Sequence, residues 1–290
     1  MFVKQVLTDA YQKLNNAGIK NARLDAELIL AHVLNKSREH IVTYPELKLT
    51  RGQANNYSFA INRRLNCEPV AYITGHKNFY GLKFIVNKDV LVPRPETELM
   101  VDEIIKLANN EKQATIVDVG TGSGCIITAL AKNLKSIFKY YAIDFSLPAL
   151  KIAENNAEKN NIKHRITFFN GNLLEPVLDR NLLLADSKIF IAANLPYLTP
   201  AQINSSPSIS QEPELALVAG DDGLKYYRQL FKQIARLKKN HRDISIHIFC
   251  EIDPSQTESI SKLISDELNT DKFEIKKDLA GLDRLVVINF

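Results

Sequence analysis

The sequence predicts an α/β protein whose larger part is a doubly wound, mostly parallel sheet, preceded by a small helical bundle. Three observations carry that prediction. From residue 114 onward, short β-branched and aromatic runs alternate with amphipathic stretches of helical length. Gly120, Gly122 and Gly124 stand at the first strand-to-helix junction of that series. Residues 1 to about 65 show helical spacing only.

In the N-terminal stretch, Val3, Leu7, Ala10, Tyr11 and Leu14 recur at helical spacing, and Gly18 is placed to stop that helix. Leu24, Leu28, Ala31, Val33 and Leu34 predict the inward face of a second helix. A shorter one follows near Arg38 to Val42, and a fourth runs from Thr50 to Leu65. Short connections between them predict a bundle. Around Cys67 the character changes. EPVAYITGHKNFYGLKFIVN is aromatic and β-branched, with Gly75 and Gly81 as breaks, and reads as a β-hairpin or extended linker. Pro93 and Pro95 bracket Arg94, and a helix begins at about Glu96.

The strand ATIVDVG then leads through the glycines into the helix CIITALAKNL. KYYAID is the next strand, followed by the helix SLPALKIAENNAEKN, which Ser146 can cap with Pro148 in its first turn. RITFFNG and SKIFIAAN are further strands, and a loop rich in Pro and Ser covers 198 to 213. GLKYYRQLFKQIARLKK is helical, DISIHIFCEI a strand, and another helix follows Pro254. KFEIKK and RLVVINF lie too close together for a helical crossover, so they should pair antiparallel at an edge. There is no internal repeat and no low-complexity tail. The expected division is a helical domain over 1–70, a β-hairpin linker over 71–92 and a larger domain over 93–290.

Composition narrows the class. The chain has 290 residues, 45% of them hydrophobic, enough to exclude disordered, collagenous and coiled-coil proteins. A net charge of +4 is mild for a protein that grips nucleic acid through phosphates. Cys67, Cys125 and Cys250 show no CxxC spacing, which argues against a disulfide framework or a zinc site. His32, His40, His76, His164, His241 and His247 form neither a metal-spaced pair nor a triad pattern. The opening MFVKQVLTDAYQKLNN turns polar too soon for a secretory signal, and no apolar run approaches the roughly 18 residues of a membrane span. The expectation is a soluble cytoplasmic protein without metal.

Two constellations carry chemistry. In Asp118-Val-Gly120-Thr121-Gly122-Ser123-Gly124-Cys125, glycines let backbone approach a ligand, and the helix start favours a negative group. The spacing is GxGxG. A dinucleotide fingerprint fails because Cys125 holds its third glycine position, a P-loop fails because Cys-Ile-Ile follows, and a GxSxG elbow fails at Thr121 and Cys125. Asp144 ends the next strand, about where an acid binds ribose hydroxyls. The combination resembles the first two motifs of class I S-adenosylmethionine-dependent methyltransferases, in which the loop holds the methionine part and the acid the ribose.

The second is Asn194-Leu195-Pro196-Tyr197, at the carboxyl end of the fourth strand. An amide or aromatic amine is a poor nucleophile because its lone pair is delocalised. The Asn194 side-chain oxygen and the Leu195 carbonyl can accept its two N–H groups and favour a tetrahedral nitrogen. Pro196 biases Leu195 to an extended conformation. Tyr197 can stack on a planar group or attract a sulfonium. The string resembles the (Asn/Asp/Ser)-Pro-Pro-(Tyr/Phe/Trp) motif of methyltransferases acting on planar nitrogens, with Leu195 replacing the usual first Pro. DNA adenine enzymes and release-factor glutamine enzymes carry that motif, and NLPY itself is familiar from ribosomal RNA adenine dimethyltransferases. Alone, the motif leaves nucleic acid and protein acceptors open.

Three further segments resemble the PrmC/HemK release-factor glutamine methyltransferases. They are PVAYITGHKNFYGLKFIVNKDVLVPRPETELMVDEI, with Pro93 to Glu98 as signature, EPELALVAGDDGLKYYRQL (Glu212 to Leu230), and ARLDAELILAHVL near the N-terminus. The resemblance implies a class I methyltransferase fold and methyl transfer from S-adenosylmethionine, leaving S-adenosylhomocysteine. The implied acceptor is the glutamine amide in the Gly-Gly-Gln loop of class-1 peptide chain release factors. It assigns cofactor contacts to Gly120, Thr121, Gly122, Ser123, Gly124, Asp144 and Asn194, and adenine contacts to Asn172 and Leu173. It places Asn194 to Tyr197 on the glutamine, with Arg94 and Glu96 shaping the site. Asp253 stands where a Gly is usual. Rival readings are a nucleic-acid adenine methyltransferase and a catalytically silent cofactor-binding protein. Lys225, Arg228, Lys232, Arg236 and Lys239 form a basic helical stripe that could serve the nucleic-acid reading, though a solvated outer face is the simpler account.

Overall fold

Helical periodicity near the N-terminus becomes five helices in the structure, a computed structural model that describes residues 1–183, 188–204, 209–241 and 243–290. They are α1 (Val3–Asn16), α2 (Ala22–Leu34), α3 (Arg38–Thr43), α4 (Arg51–Leu65) and α5 (Val70–Thr74). These belong to one of two compact units, Met1–His76 with Pro207–Gln211; the other is Lys77–Ser206 with Glu212–Phe290. Thr50 starts α4 with a reciprocal cap: its Oγ1 accepts from Gln53 N at 3.2 Å, and Gln53 Oε1 accepts from Thr50 N at 2.9 Å. The bundle core joins Val3, Val6, Ala10 and Leu14 to Ala26, Ile29, Leu30, Tyr57 and Ile61.

The inward face of α2 differs from the predicted one. Leu24 and Leu28 are 39% and 37% exposed, whereas Ile29 and Leu30 are fully buried. The helix turns Asp25 and Glu27 inward instead, because arginines meet both. Arg64 Nε lies 2.8 Å from Asp25, and Arg23 and Arg38 lie 3.0 and 2.8 Å from Glu27. A paired carboxylate tolerates burial, so charge pairing overrides the apolar pattern. Tyr11 likewise faces solvent. Val70–Thr74, read from sequence as hairpin or linker, is a helical turn closed by Gly75 in the left-handed region (φ 74°).

The second unit opens with the hairpin β1 (His76–Phe79) and β2 (Leu82–Ile85), then a 3-10 turn, Pro95–Thr97, and α6 (Glu98–Ala108). Alternation follows through β3 (Ala114–Val119), α7 (Cys125–Asn133), β4 (Lys139–Asp144), α8 (Leu147–Lys159), β5 (Ile166–Asn170), α9 (Glu175–Leu178) and β6 (Lys188–Ala193). It continues with α10 (Pro200–Asn204), α11 (Lys225–Asn240), β7 (Ile246–Glu251), α12 (Thr257–Leu268), β8 (Phe273–Lys277) and β9 (Asp283–Asn289). Ser146 caps α8 as expected, accepting from Ala149 N at 3.3 Å. In the Pro- and Ser-rich loop, α10 and a short turn at 209–211 take up part of the stretch read as irregular; 205–208 lie outside the described residues.

Among the described residues the main sheet has the order β5-β4-β3-β6-β7-β9-β8. Its first five strands are parallel, and β9 runs antiparallel to both neighbours. The final strand is thus inserted between β7 and β8, leaving β8 at the edge. β3 and β6 are apolar along nearly their whole length because helices cover both faces. α11 buries Tyr227, Leu230, Phe231, Ile234 and Leu237. Its basic stripe lies on the opposite face, apart from Lys225, which lines a cavity, and is partly neutralised, with Arg228 2.6 Å from Asp222 and Lys232 3.6 Å from Glu267. Strand order reverses between β3 and β6, where Val119 sits in register with Ala193. The loops leaving these two strands flank the crevice in which open sheets place ligands.

Candidate active site

The crevice is a cavity of about 420 Å³ at the carboxyl ends of β3, β4 and β6. Gly120, Thr121, Gly122, Ser123, Asp144, Asn172, Leu173, Asn194, Leu195, Pro196 and Arg94 all line it. Residues scattered over a hundred positions of sequence therefore meet at one place. Gly124, Glu96 and Tyr197, also singled out from sequence, are not part of that lining.

The glycine loop leans on β4. Gly120 N and Thr121 N both donate to the Ile143 carbonyl at 2.9 Å. Gly122 N donates to Asp144 Oδ2 at 2.7 Å, and Ser146 N donates to Asp144 Oδ1 at 2.8 Å. Burial raises the Asp144 pKa, and these two N–H groups oppose the rise. Each glycine has its own reason. A Cβ on Gly122 (φ 54°) would meet only the Gly120 carbonyl at 3.9 Å, so a side chain there would fill the cavity itself. A Cβ on Gly124 (φ 75°) would lie 2.9 Å from Ala153 Cβ, where α7 packs on α8. Leu195, 3% exposed, covers Gly120, with its Cδ2 at 3.0 Å from a Cβ placed there.

Beneath the loop lies Asp118, fully buried and given no role by the sequence reading. Its Oδ2 accepts from Thr121 Oγ1 at 2.6 Å and from Ile127 N at 3.3 Å, while Oδ1 has no partner among the described residues. Burial pushes its pKa up to about 7. The Cys125 thiol, buried at the start of α7, is pushed up to about 12, which leaves it inert as a nucleophile at neutral pH. Asn156, also fully buried, donates to the carbonyls of Ser123 and Ile85 at 2.9 Å and accepts from Ile85 N at 2.7 Å, tying the glycine loop to β2.

On the opposite wall, Asn194 Nδ2 donates to Thr97 Oγ1 at 3.1 Å. Tyr197 turns its hydroxyl away, to Glu251 Oε1 at 3.4 Å, and its carbonyl accepts from Gln256 Nε2 at 2.9 Å. Burial raises the pKa of Glu251, opposed by a hydrogen bond from Thr97 and the charge of Arg284. The fully buried Tyr227 hydroxyl donates to the carbonyls of Ala193, at 3.0 Å, and of Glu251, holding the ends of β6 and β7 together. Arg94 pairs with Glu212 at 2.5 Å, and Glu212 also accepts from Val92 N at 2.9 Å. That carboxylate pins the segment holding Pro213, Leu215 and Ala216 to the cavity wall. Leu173 adopts a left-handed φ of 51°, costly for a non-glycine residue, on the wall formed after β5. Thr97, Glu251, Asn156 and Tyr227 were not foreseen. Thr97 sits inside the quoted Pro-Arg-Pro-Glu-Thr-Glu and Tyr227 inside the quoted segment Glu212 to Leu230, but Glu251 and Asn156 carry no local signal beyond a polar residue beside apolar ones.

Backbone N–H groups at the start of a helix, an acid at the end of β4, and apolar walls from Phe145, Leu173 and Leu215 suit a ligand combining a carboxylate, a hydroxylated sugar and a flat ring. Among the described residues no group of three or more His, Cys, Asp or Glu could hold a metal ion, and no helix is long and apolar enough to cross a membrane.

Sheet order, glycine loop and strand-end acid together define a class I methyltransferase fold. Residues 110–201 match the family described as methyltransferase domain. Among solved structures, the human METTL16 catalytic domain in complex with MAT2A 3′UTR hairpin 1 shares the fold with a TM-score of 0.58, at 14% identity over 90% of each chain. Residues 5–75 match the PrmC N-terminal domain. The chain is 34% identical to the release factor glutamine methyltransferase of Koribacter versatilis, over 99% of this chain and 98% of the relative. It is 35% identical to that of Coxiella burnetii, over 98% of each. A bifunctional methyltransferase of Rickettsia typhi is 33% identical over 99% of this chain, which spans 57% of that longer protein. The chain belongs to the release factor glutamine methyltransferase family.

Proposed function

We propose that this protein methylates the side-chain amide nitrogen of the glutamine in the Gly-Gly-Gln loop of class-1 peptide chain release factors, using S-adenosylmethionine. The observation that carries the reading is the meeting of the glycine loop and Asp144 with Asn194–Pro196 around one cavity. The cofactor, when bound, supplies an electrophilic methyl group on a sulfonium and leaves as S-adenosylhomocysteine. The Ser123 N–H and the start of α7 would take its carboxylate, Asp144 its ribose hydroxyls, and Asn172 and Leu173 its adenine.

Asn194 and Leu195 do the work on the acceptor. The Asn194 Oδ1 and the Leu195 carbonyl accept the two N–H groups of the glutamine amide. That geometry turns the nitrogen lone pair out of conjugation and toward the methyl carbon; as the N–C bond forms the methyl–sulfur bond breaks, and the displaced N–H proton passes to water. Proximity and fixed dipoles supply the rate, so no side chain with a tuned pKa is required. Tyr197 rests its hydroxyl on Glu251 and helps to hold the loop. Incubation with labelled S-adenosylmethionine and a release factor is the test. Label should appear on the release factor and vanish when the Gly-Gly-Gln glutamine is replaced. Equal labelling of the Gln-less factor, or labelling of RNA or DNA with no release factor present, would overturn the reading.

A further inference from the structure

The cavity wall formed after β5 carries a short chain of polar side chains, and the groups at its two ends decide how each amide in it is oriented. Asn172 lines the cavity and donates from Nδ2 to Glu175 Oε1 at 3.0 Å. Gln233, reaching across from α11, makes a longer contact from Nε2 to the same Oε1 at 3.5 Å. Gln233 Oε1 accepts from Leu174 N at 2.8 Å. A backbone N–H only donates, so Gln233 must offer it the oxygen end and turn its NH₂ end to Glu175. A carboxylate only accepts, so Asn172 must offer its NH₂ end as well. Glu175 is not part of the cavity lining. With its NH₂ end turned there, Asn172 keeps its oxygen for the cavity. The backbone on either side is equally fixed: a Cβ on Gly171 would lie 2.3 Å from Pro176 Cγ, and Leu173 is held at φ 51°. An acceptor held in one place distinguishes two kinds of purine. The 6-amino group of adenine donates a hydrogen bond to it. A 6-oxopurine sets a carbonyl oxygen against it, two acceptors with no proton between them. An Asn172 free to turn over would lose that distinction, because its NH₂ end would donate to the carbonyl.

We propose that Glu175, braced by Gln233, locks Asn172 as a hydrogen-bond acceptor and so makes the cavity selective for a 6-aminopurine over a 6-oxopurine. Glu175 and Gln233 are then positioning residues. This rests on the reading that places the adenine of the cofactor against Asn172. The test is calorimetric titration of the full chain with S-adenosylhomocysteine and with S-inosylhomocysteine, the same molecule with a carbonyl in place of the 6-amino group. No methyl acceptor is present, so the outcome does not depend on which substrate the enzyme methylates. The parent should bind the adenosyl compound at least about tenfold more tightly than the inosyl one, the scale of one lost and one repelled hydrogen bond. Glu175 is exposed, so its removal leaves the core intact. Glu175→Ala should hold S-adenosylhomocysteine within about threefold of the parent, because the ligand itself then selects the fitting amide orientation. It should bind the inosyl compound more tightly than the parent does, and the selectivity should fall to about threefold or less. An aspartate has no donor end to present. Asn172→Asp combined with Glu175→Ala should therefore restore a selectivity of at least about tenfold, a rescue that a merely structural part for Glu175 would not produce. Asn172→Ala should lose most of the selectivity. Parent-like selectivity in Glu175→Ala, or no recovery in the double variant, would overturn the positioning role while leaving Asn172 against the ring. Parent-like selectivity in Asn172→Ala, or equal affinity of the parent for the two compounds, would remove that contact too. Binding of neither compound by the parent would overturn the cofactor reading, and the proposal with it.

Discussion

Gly122 and Gly124 look alike in sequence, yet the structure assigns them different tasks, and alanine substitution separates them. Both have left-handed φ, 54° and 75°, which costs a side-chain-bearing residue roughly 1–2 kcal/mol. At Gly124 the new Cβ also meets the α8 backbone, with Ala153 Cα at 3.0 Å and its Cβ at 2.9 Å. Relieving that contact means moving α8 against α7, a form of overpacking that costs roughly 1–3 kcal/mol more. Gly124→Ala should therefore lose about 2–5 kcal/mol. At roughly 2–4 °C per kcal/mol for a chain of this size, Tm should fall by roughly 4–20 °C. Gly122→Ala meets nothing but the Gly120 carbonyl at 3.9 Å, so Tm should fall by only a few degrees. Its methyl group occupies the cavity, however, and strains the N–H that Asp144 holds. S-Adenosylmethionine affinity should drop at least about tenfold, in line with one displaced contact of about 1.4 kcal/mol. Thermal unfolding with and without cofactor, together with calorimetric titration, reads both effects. Parent-like affinity in Gly122→Ala, or a larger loss of Tm there than in Gly124→Ala, would refute this division of labour.

Asn194→Ala should reduce kcat by about a hundredfold or more, the scale of removing one preorganised polar contact from a reacting group, with cofactor affinity nearly unchanged on calorimetric titration. Asp118, with a folded pKa of about 7 against an ordinary 3.8, binds its proton more tightly folded than unfolded. Its contribution to stability is thus complete below about pH 4 and is lost as pH rises toward 7, by about 4 kcal/mol at most. Chemical unfolding at pH 5 and pH 8 should show Asp118→Asn losing that part of the pH slope, and identical slopes would contradict it. Arg94→Ala leaves the Glu212 carboxylate, only 2% exposed, with Val92 N as its remaining partner among the described residues, so thermal unfolding should report a loss of about 2 kcal/mol. Replacing Glu212 by Gln as well should recover part of it, since the buried charge is then gone.

Where sequence reasoning worked, it rested on signals confined to a few neighbouring residues. The Gly120–Gly124 spacing, Ser146 as a cap and the alternation after Ala114 are local, and the elements they predict are present. It failed where distant charges decide. Asp25 and Glu27 face inward because Arg64 and Arg38 reach them from other helices, and no periodicity within α2 encodes those partners. The insertion of β9 between β7 and β8 is a matter of topology that two closely spaced strands leave open. In the candidate site, the residues that contact the cavity were legible because glycines, an acid and NLPY stand at strand ends. The groups behind them were not. Thr97 and Glu251 lie 154 positions apart in numbering and become meaningful only when the ends of β6 and β7 come together beside the turn before α6. Tyr197 illustrates the difference: its ring suggested stacking, and its hydroxyl turns out to be engaged by a carboxylate that sequence could not locate.

The central claim is that the Asn194 loop presents acceptors to a protein amide at the mouth of an S-adenosylmethionine site. Mass spectrometry of a release factor after incubation with the enzyme and labelled S-adenosylmethionine tests it most directly. One added methyl group is expected, on the side chain of the Gly-Gly-Gln glutamine, and none with Asn194→Ala. Methylation at another residue of the factor, or full methylation by Asn194→Ala, would contradict it.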